Sequence, residues 1–167
     1  TPVVVNPLVT CGHCFACQRG EENLCPDRQI ISMPPRPGAF SELFSIPEKN
    51  VIELPTTFDL GQAALAEPIA CGWHATRLVE RMSGHSVVGQ RIVVMGAGAV
   101  GLGAALSCRA LGMEPLKVVE NNSGRRQTAI EAGFDCLEAS TLSAAIDHGV
   151  DAVIDAVGIR PTRELAS

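Results

Sequence analysis

From Arg91 onward, apolar and polar residues fall into regular blocks. Ile92-Val93-Val94-Met95 is an unbroken apolar run, the pattern of a strand covered on both faces. Ala99 to Leu111 is apolar almost all round at helical length, and Gly112 follows where a left-handed residue ends a helix. Leu116–Val119 predicts the next strand and Arg125–Ala132 the next helix, again followed by a glycine, Gly133. Cys136-Leu137 predicts a short strand, Leu142–His148 a helix and Ala152–Ala156 a strand. Strand and helix alternating at this spacing predict a parallel α/β sheet with right-handed crossovers.

Upstream the pattern changes. Residues 1–58 carry most of the eleven prolines, and short apolar stretches such as Pro2-Val3-Val4-Val5 and Phe40–Ile46 are punctuated by Pro and Gly, which predicts short strands and turns. Asp59 can cap a short helical turn through Leu65. Glu67-Pro68 then opens a second helix to about Met82, where the missing proline N–H would be unpaired anyway. Residues 83–90 read as a polar connection.

Composition narrows the classes. Of 167 residues, 46% are hydrophobic and 19% charged, a globular balance. Aromatics make up 4%, with no Tyr and one Trp, so platforms for stacking bases are scarce. A net charge of −5 gives no general attraction to nucleic acid or anionic lipid. The uncharged run Ile92–Cys108 approaches the length of a membrane span, but Gly96, Gly98, Gly101 and Gly103 within it favour strand, turn and helix. The expected partner is a small molecule, with neither nucleic acid nor membrane. Seven cysteines, an odd and clustered set, argue against a secreted disulfide framework and for a cytoplasmic setting.

Gly96-Ala97-Gly98-Ala99-Val100-Gly101 is a G-x-G-x-x-G placed between a buried strand and a helix, the context in which it binds a dinucleotide. Gly96 permits the tight turn, Gly98 lets a pyrophosphate approach the backbone and Gly101 lets the helix pack close to the strand. The helix start at Ala99 and Val100 offers unpaired N–H groups and a positive dipole end. Glu120 ends the next strand, where an acid holds a ribose hydroxyl and disfavours a 2′-phosphate, so NAD is expected over NADP. Arg125 and Arg126 nearby pull the other way, or simply open a solvated helix. Val157 and Gly158 follow the last strand, where ligands gather in such folds.

Cys11-x2-Cys14-x2-Cys17-x7-Cys25 is dense in thiols. Four thiolates suit a closed tetrahedral zinc site, structural rather than catalytic. An iron–sulfur cluster is the rival, since Cys25-Pro26 echoes the ferredoxin run, although that run has three residues before its last cysteine rather than seven. His13 inside the loop is expected to face solvent. His74 is expected to pack as a structural histidine, His85 to lie in a connecting loop and His148 near a helix end. Cys71, Cys108 and Cys136 are expected to be small buried hydrophobes. Glu67 reads either as a first-turn acid favoured by the helix dipole or as a metal ligand.

In order along the chain, Val5-Asn6-Pro7, Cys11-Gly12-His13-Cys14-Phe15-Ala16-Cys17, Gly20, Asn23-Leu24-Cys25, Gly38-Ala39-Phe40-Ser41-Glu42, Asn50-Val51, Leu54-Pro55, Ala63 to Pro68, His74-Ala75, the glycine turn and Glu120 resemble the zinc-dependent medium-chain alcohol and polyol dehydrogenases. The likeness spans nearly the whole chain, and Glu67-Pro68 points to the sorbitol and threonine dehydrogenase branch. It implies that residues 1–66 are the later part of a GroES-like, β-rich catalytic domain with a zinc lobe at 11–25. Residues 67–167 would then be the first half of a Rossmann NAD-binding domain. It implies reversible NAD-dependent oxidation of an alcohol or polyol, a homo-oligomer, and a second, catalytic zinc to which Glu67 contributes directly or through a contact. The family's other catalytic-zinc ligands lie upstream of the cysteine cluster. The sequence is therefore expected to be an internal piece of a chain roughly twice as long, and inactive by itself. A non-catalytic module that only binds zinc and nucleotide, and an iron–sulfur electron carrier fused to a nucleotide domain, are the competing readings.

Overall fold

The computed structural model describes residues 1–146 and 149–165. The chain forms two compact units, Thr1–Ala64 and Leu65–Ser167.

The first unit is built from short pieces. Strand β1 (Val3–Val5) pairs antiparallel with β4 (Val51–Glu53), Val4 opposite Ile52. Strand β2 (Leu8–Val9) pairs antiparallel with β3 (Gln29–Ile30). Between β2 and β3 the chain makes a loop holding one short helix, α1 (Phe15–Gln18). Helix α2 (Leu60–Ala63) ends the unit, and Asp59 caps it by accepting the Gln62 N–H at 2.8 Å. Phe40–Ile46 does not form the expected strand. A strand needs a neighbour to satisfy its backbone, and no described segment pairs with it. Phe40 and Leu43 are accordingly exposed.

The second unit opens with α3 (Ala66–Ser83), ended by Gly84 in the left-handed region. Then β5 (Ile92–Met95), α4 (Ala99–Ala110), β6 (Leu116–Val119), α5 (Ser123–Glu131), β7 (Asp135–Leu137), α6 (Leu142–Ala145), β8 (Ala152–Asp155) and α7 (Arg160–Leu165) follow. The four strands are parallel, in the order β7-β6-β5-β8. That is the 3-2-1-4 order with which a doubly wound dinucleotide fold begins, and the switch point lies between β5 and β8. The expected parallel α/β class holds. The helix expected to reach His148 ends at Ala145, and His148 lies outside the described residues.

One face of the sheet packs Ile92, Val94, Val118 and Ile154 against Ala104, Ala105, Cys108 and Ala129 of the helices. The other packs Val93, Met95 and Val119 against Leu142. Helices α3 and α4 cross in backbone contact. A Cβ on Gly72 would lie 2.2 Å from the Ala104 nitrogen, and one on Gly103 would lie 2.8 Å from the Pro68 carbonyl. Only glycine permits that approach. It seats the start of α3, with Glu67, rigidly against α4. Cys108 and Cys136 are buried as expected, whereas Cys71 and His74 on α3 are exposed. Both face away from the α4 seam marked by Gly72 and Thr76, so neither packs as the sequence suggested. Among the described residues, no helix is long and apolar enough to cross a membrane.

Candidate metal and dinucleotide sites

Pairing of β2 with β3 returns the chain to its starting point and closes the cysteine loop. Cys11 follows β2, Cys14 caps the start of α1, Cys17 lies within that single turn, and Cys25 precedes β3. Their four sulfurs lie within 4.8 Å of one another. Cys11 Sγ is 3.9 Å from Cys17 Sγ and 3.7 Å from Cys25 Sγ. A single zinc with sulfurs at about 2.3 Å holds them about 3.8 Å apart, so the set matches the edge of one tetrahedron. A cluster of several irons spreads its thiolates around a larger core and fits poorly.

The donor chemistry also asks for a cation. Backbone amides of His13 and Cys14 draw the Cys11 thiol down to about 6, and the Cys14 N–H lies 3.3 Å from its sulfur. Burial, with the neighbouring cysteine sulfurs, pushes Cys17 up to about 11. Four adjacent thiols cannot all ionise without a positive ion among them. His13 faces solvent, its Nδ1 3.0 Å from the Cys11 carbonyl oxygen.

The glycine turn joins β5 to α4. Gly96 has φ +94°, and a Cβ on Gly101 would lie 1.9 Å from the Gly96 carbonyl oxygen, so helix and strand meet as closely as glycine allows. Gly98 caps the helix in extended conformation, and a Cβ there would meet nothing within 4 Å. Leu102 N–H is bonded to the Gly98 carbonyl, while the N–H groups of Ala99, Val100 and Gly101 find no acceptor among the described residues. Open space before a helix start with free N–H groups is what a phosphate fills.

Glu120, 7% exposed, lies beyond the end of β6. Its Oε2 accepts the Ala97 N–H at 3.1 Å and Arg125 Nε at 2.8 Å. Its Oε1 accepts the Asn122 N–H at 2.8 Å and Arg125 Nη2 at 3.0 Å. The Arg125 guanidinium, helped by the amides of Asn122 and Ala97, outweighs burial and holds the Glu120 carboxyl down at about 2. A hollow of about 230 Å³ opens beside it, lined by Gly96, Glu120, Asn121, Arg125, Val157 and Ile159 among others. Gly158 is nearby, but its N–H, like that of Val157, is bonded to Asp155 Oδ1. Burial works against ionisation of Asp155, yet those amides and the Thr162 hydroxyl hold its carboxyl below the usual range. Sequence reading missed Asp155 as the organiser of this turn, and missed Asn121 and Ile159 in the lining. The Asp-x-x-Gly spacing after a strand was the available signal for Asp155.

Glu67 is exposed in the first turn of α3, and Cys71 Sγ donates to its Oε1 at 3.2 Å. Burial, then the Glu67 carboxylate, raise the Cys71 thiol. A catalytic zinc takes three protein ligands. Among the described residues only the four cysteines bring three or more donors together, so Glu67 and Cys71 do not by themselves make such a site.

A tetrathiolate loop in one unit and a glycine-turn parallel sheet in the other define a zinc-lobe protein joined to a dinucleotide-type fold. Comparison with known proteins agrees. Residues 1–56 match the alcohol dehydrogenase GroES-like domain. The chain is 33% identical to a Bacillus subtilis sorbitol dehydrogenase across 93% of its own length and 45% of that relative. It is 30% identical to D-xylulose reductase A of Aspergillus oryzae, across 96% and 47%. The crystal structure of an Escherichia coli oxidoreductase/dehydrogenase of unknown specificity superposes with a TM-score of 0.87 at 30% identity, across 98% of this chain and 48% of that one. Residues 1–56 thus carry that GroES-like domain, and the chain as a whole is similar to polyol and zinc-type alcohol dehydrogenases while spanning about half the length of the curated relatives it matches.

Proposed function

We propose that this chain supplies the structural zinc lobe and the NAD-binding half-sheet of a dehydrogenase acting on an alcohol or polyol. The observation that carries the reading is the glycine turn: open space before Gly98, unpaired N–H groups at Ala99, Val100 and Gly101, and an ionised Glu120 beyond the next strand. When bound, NAD supplies the hydride acceptor for a CH–OH carbon. The chain's own residues bind and orient. The α4 start takes the pyrophosphate, and Gly96 and Val157 line the approach between β5 and β8. Glu120 receives the adenosine ribose. Its four hydrogen bonds leave no spare lone pair, so Glu120 would take a ribose hydroxyl by giving up one contact with Arg125, whose side chain is 57% exposed. The carboxylate that remains repels a 2′-phosphate and favours NAD. In the zinc lobe Cys11, Cys14, Cys17 and Cys25 hold a structural metal. Glu67 would contribute to a catalytic zinc, directly or through a contact, with the remaining ligands supplied from beyond the described residues.

Gly98→Ala separates binding from folding. The added methyl enters open space, so thermal stability should change by less than about 0.5 kcal/mol. Titration with NADH, followed by its fluorescence, should show affinity at least about tenfold weaker, since the methyl occupies the phosphate position. Unchanged affinity would place the dinucleotide elsewhere. Oxidation of polyols, threonine or simple alcohols with NAD by the full-length protein tests the reaction itself. NADH binding without any turnover there would favour the purely binding module.

A further inference from the structure

The four-cysteine loop is held from outside by a residue distant in sequence. Lys49 follows Glu48 in the short turn before β4. Its Nζ donates to the Thr10 carbonyl at 2.8 Å and lies 3.3 Å from Thr10 Oγ1. It also lies 3.8 Å from where a Cβ on Gly12 would sit. It therefore holds the residue before Cys11 and lies beside the residue after it. Thr10 is buried, and its hydroxyl passes the contact on to Glu22 Oε1 at 3.2 Å, across the loop before Cys25. Among the described residues no carboxylate lies within ion-pair distance of Lys49. A second clamp stands beside it. The buried Asn50 donates to the Asn6 and Leu8 carbonyls at 2.9 and 2.8 Å and fixes the strand that leads into Cys11.

A divalent ion bound by four thiolates carries a net charge of about −2. Lys49, bonded to the carbonyl next to the first ligand and separated from the Glu22 carboxylate by the Thr10 hydroxyl, brings a positive charge close to that surplus. We propose that Lys49 is a positioning residue for the metal. It fixes the Thr10 carbonyl so that the Cys11 sulfur, which accepts the Cys14 N–H, meets the ion, and its charge offsets the tetrathiolate. This rests on the four cysteines binding zinc.

The test uses the zinc-loaded chain. Metal content is measured first, because a wild-type protein without zinc overturns the metal reading itself rather than the role of Lys49. With zinc present, release to a chromophoric chelator is followed for wild type, Lys49→Gln and Lys49→Arg. Groups just outside the ligands typically tune metal affinity by about 10–100-fold. Lys49→Gln, which keeps a donor but loses the charge, should release zinc at least about tenfold faster. Lys49→Arg should stay within about threefold of wild type by the same scale. Cobalt substitution checks the donor set. Lys49→Gln should keep the thiolate-to-cobalt charge-transfer band of wild type at saturating metal, with affinity reduced. Equal release by Lys49→Gln and wild type overturns the proposal. So does equal loss in both variants, since a packing role would be damaged by either change and a charge role rescued by arginine.

Discussion

The two units of this chain reach order by different physics. Among the described residues, the buried apolar ones of the first unit are Cys25 and Ala63, and the rest lie in the second. The second unit has two packed faces of one sheet. The first has strands of two or three residues and a loop whose four sulfurs converge. A small assembly with almost no apolar core gains its stability from a metal or from cross-links, whereas a sheet covered by helices gains it from burial. On the proposal that the four cysteines bind zinc, the metal orders the loop around them, whereas the second unit is ordered by its own packed core.

Metal removal should break the contrast most. Zinc bound by four cysteines is worth about 10 kcal/mol of folding free energy. A strong chelator should leave residues 1–64 protease-sensitive while the transition reported by the single tryptophan, Trp73 on α3, is unchanged. A first unit that stays protected without metal would mean that the two units do not differ in this way. The second unit has its own weak point, in packing. Gly101→Ala drives a methyl to 1.9 Å from a backbone oxygen. It should cost about 3 kcal/mol or more, read as a fall in the Trp73 transition with zinc content intact.

Asn50→Ala asks how much of the first unit is held by hydrogen bonds alone. It leaves the Asn6 and Leu8 carbonyls unpaired. A loss of about 2 kcal/mol in the zinc-loaded first unit is expected, measured by denaturant unfolding. Acid sharpens the comparison with the smallest effect. Glu120 has its carboxyl lowered from 4.5 to about 2 in the folded state, so it stabilises the second unit above pH 4.5 and that contribution is lost as pH falls towards 2. Allowing for the exposure of Arg125, about 1–2 kcal/mol should go, and Glu120→Gln should flatten that part of the stability profile. The first unit should fail at higher pH, because protonated thiols release the metal.

Much of this was legible along the chain because it depends on local pattern. The apolar run Ile92–Met95, the glycines at 96, 98 and 101, and Gly112 after α4 each act through their nearest neighbours. The cysteine spacing likewise announced four thiol donors, and their sulfurs do converge. Phe40–Ile46 could not be read, since a strand exists only where another strand meets it. Cys71 and His74 misled for a related reason. A helix shows its buried face only once its partner is known, and here the partner is α4, met through Gly72. Glu120 was placed correctly beyond the end of its strand, but its bonds to the Ala97 amide and Arg125 were not foreseen, because they join two turns.

What the sequence determined by itself was the alternation of strand and helix, the phosphate-ready turn and the four thiol donors, all set by residue types at short separations. What only the tertiary structure decided was the 3-2-1-4 strand order, the seating of α3 on α4 through two glycines and the reach of Lys49 to the carbonyl before Cys11. Each of these joins residues far apart in the chain, where the energy comes from close approach and charge in space and leaves no periodic mark in the sequence.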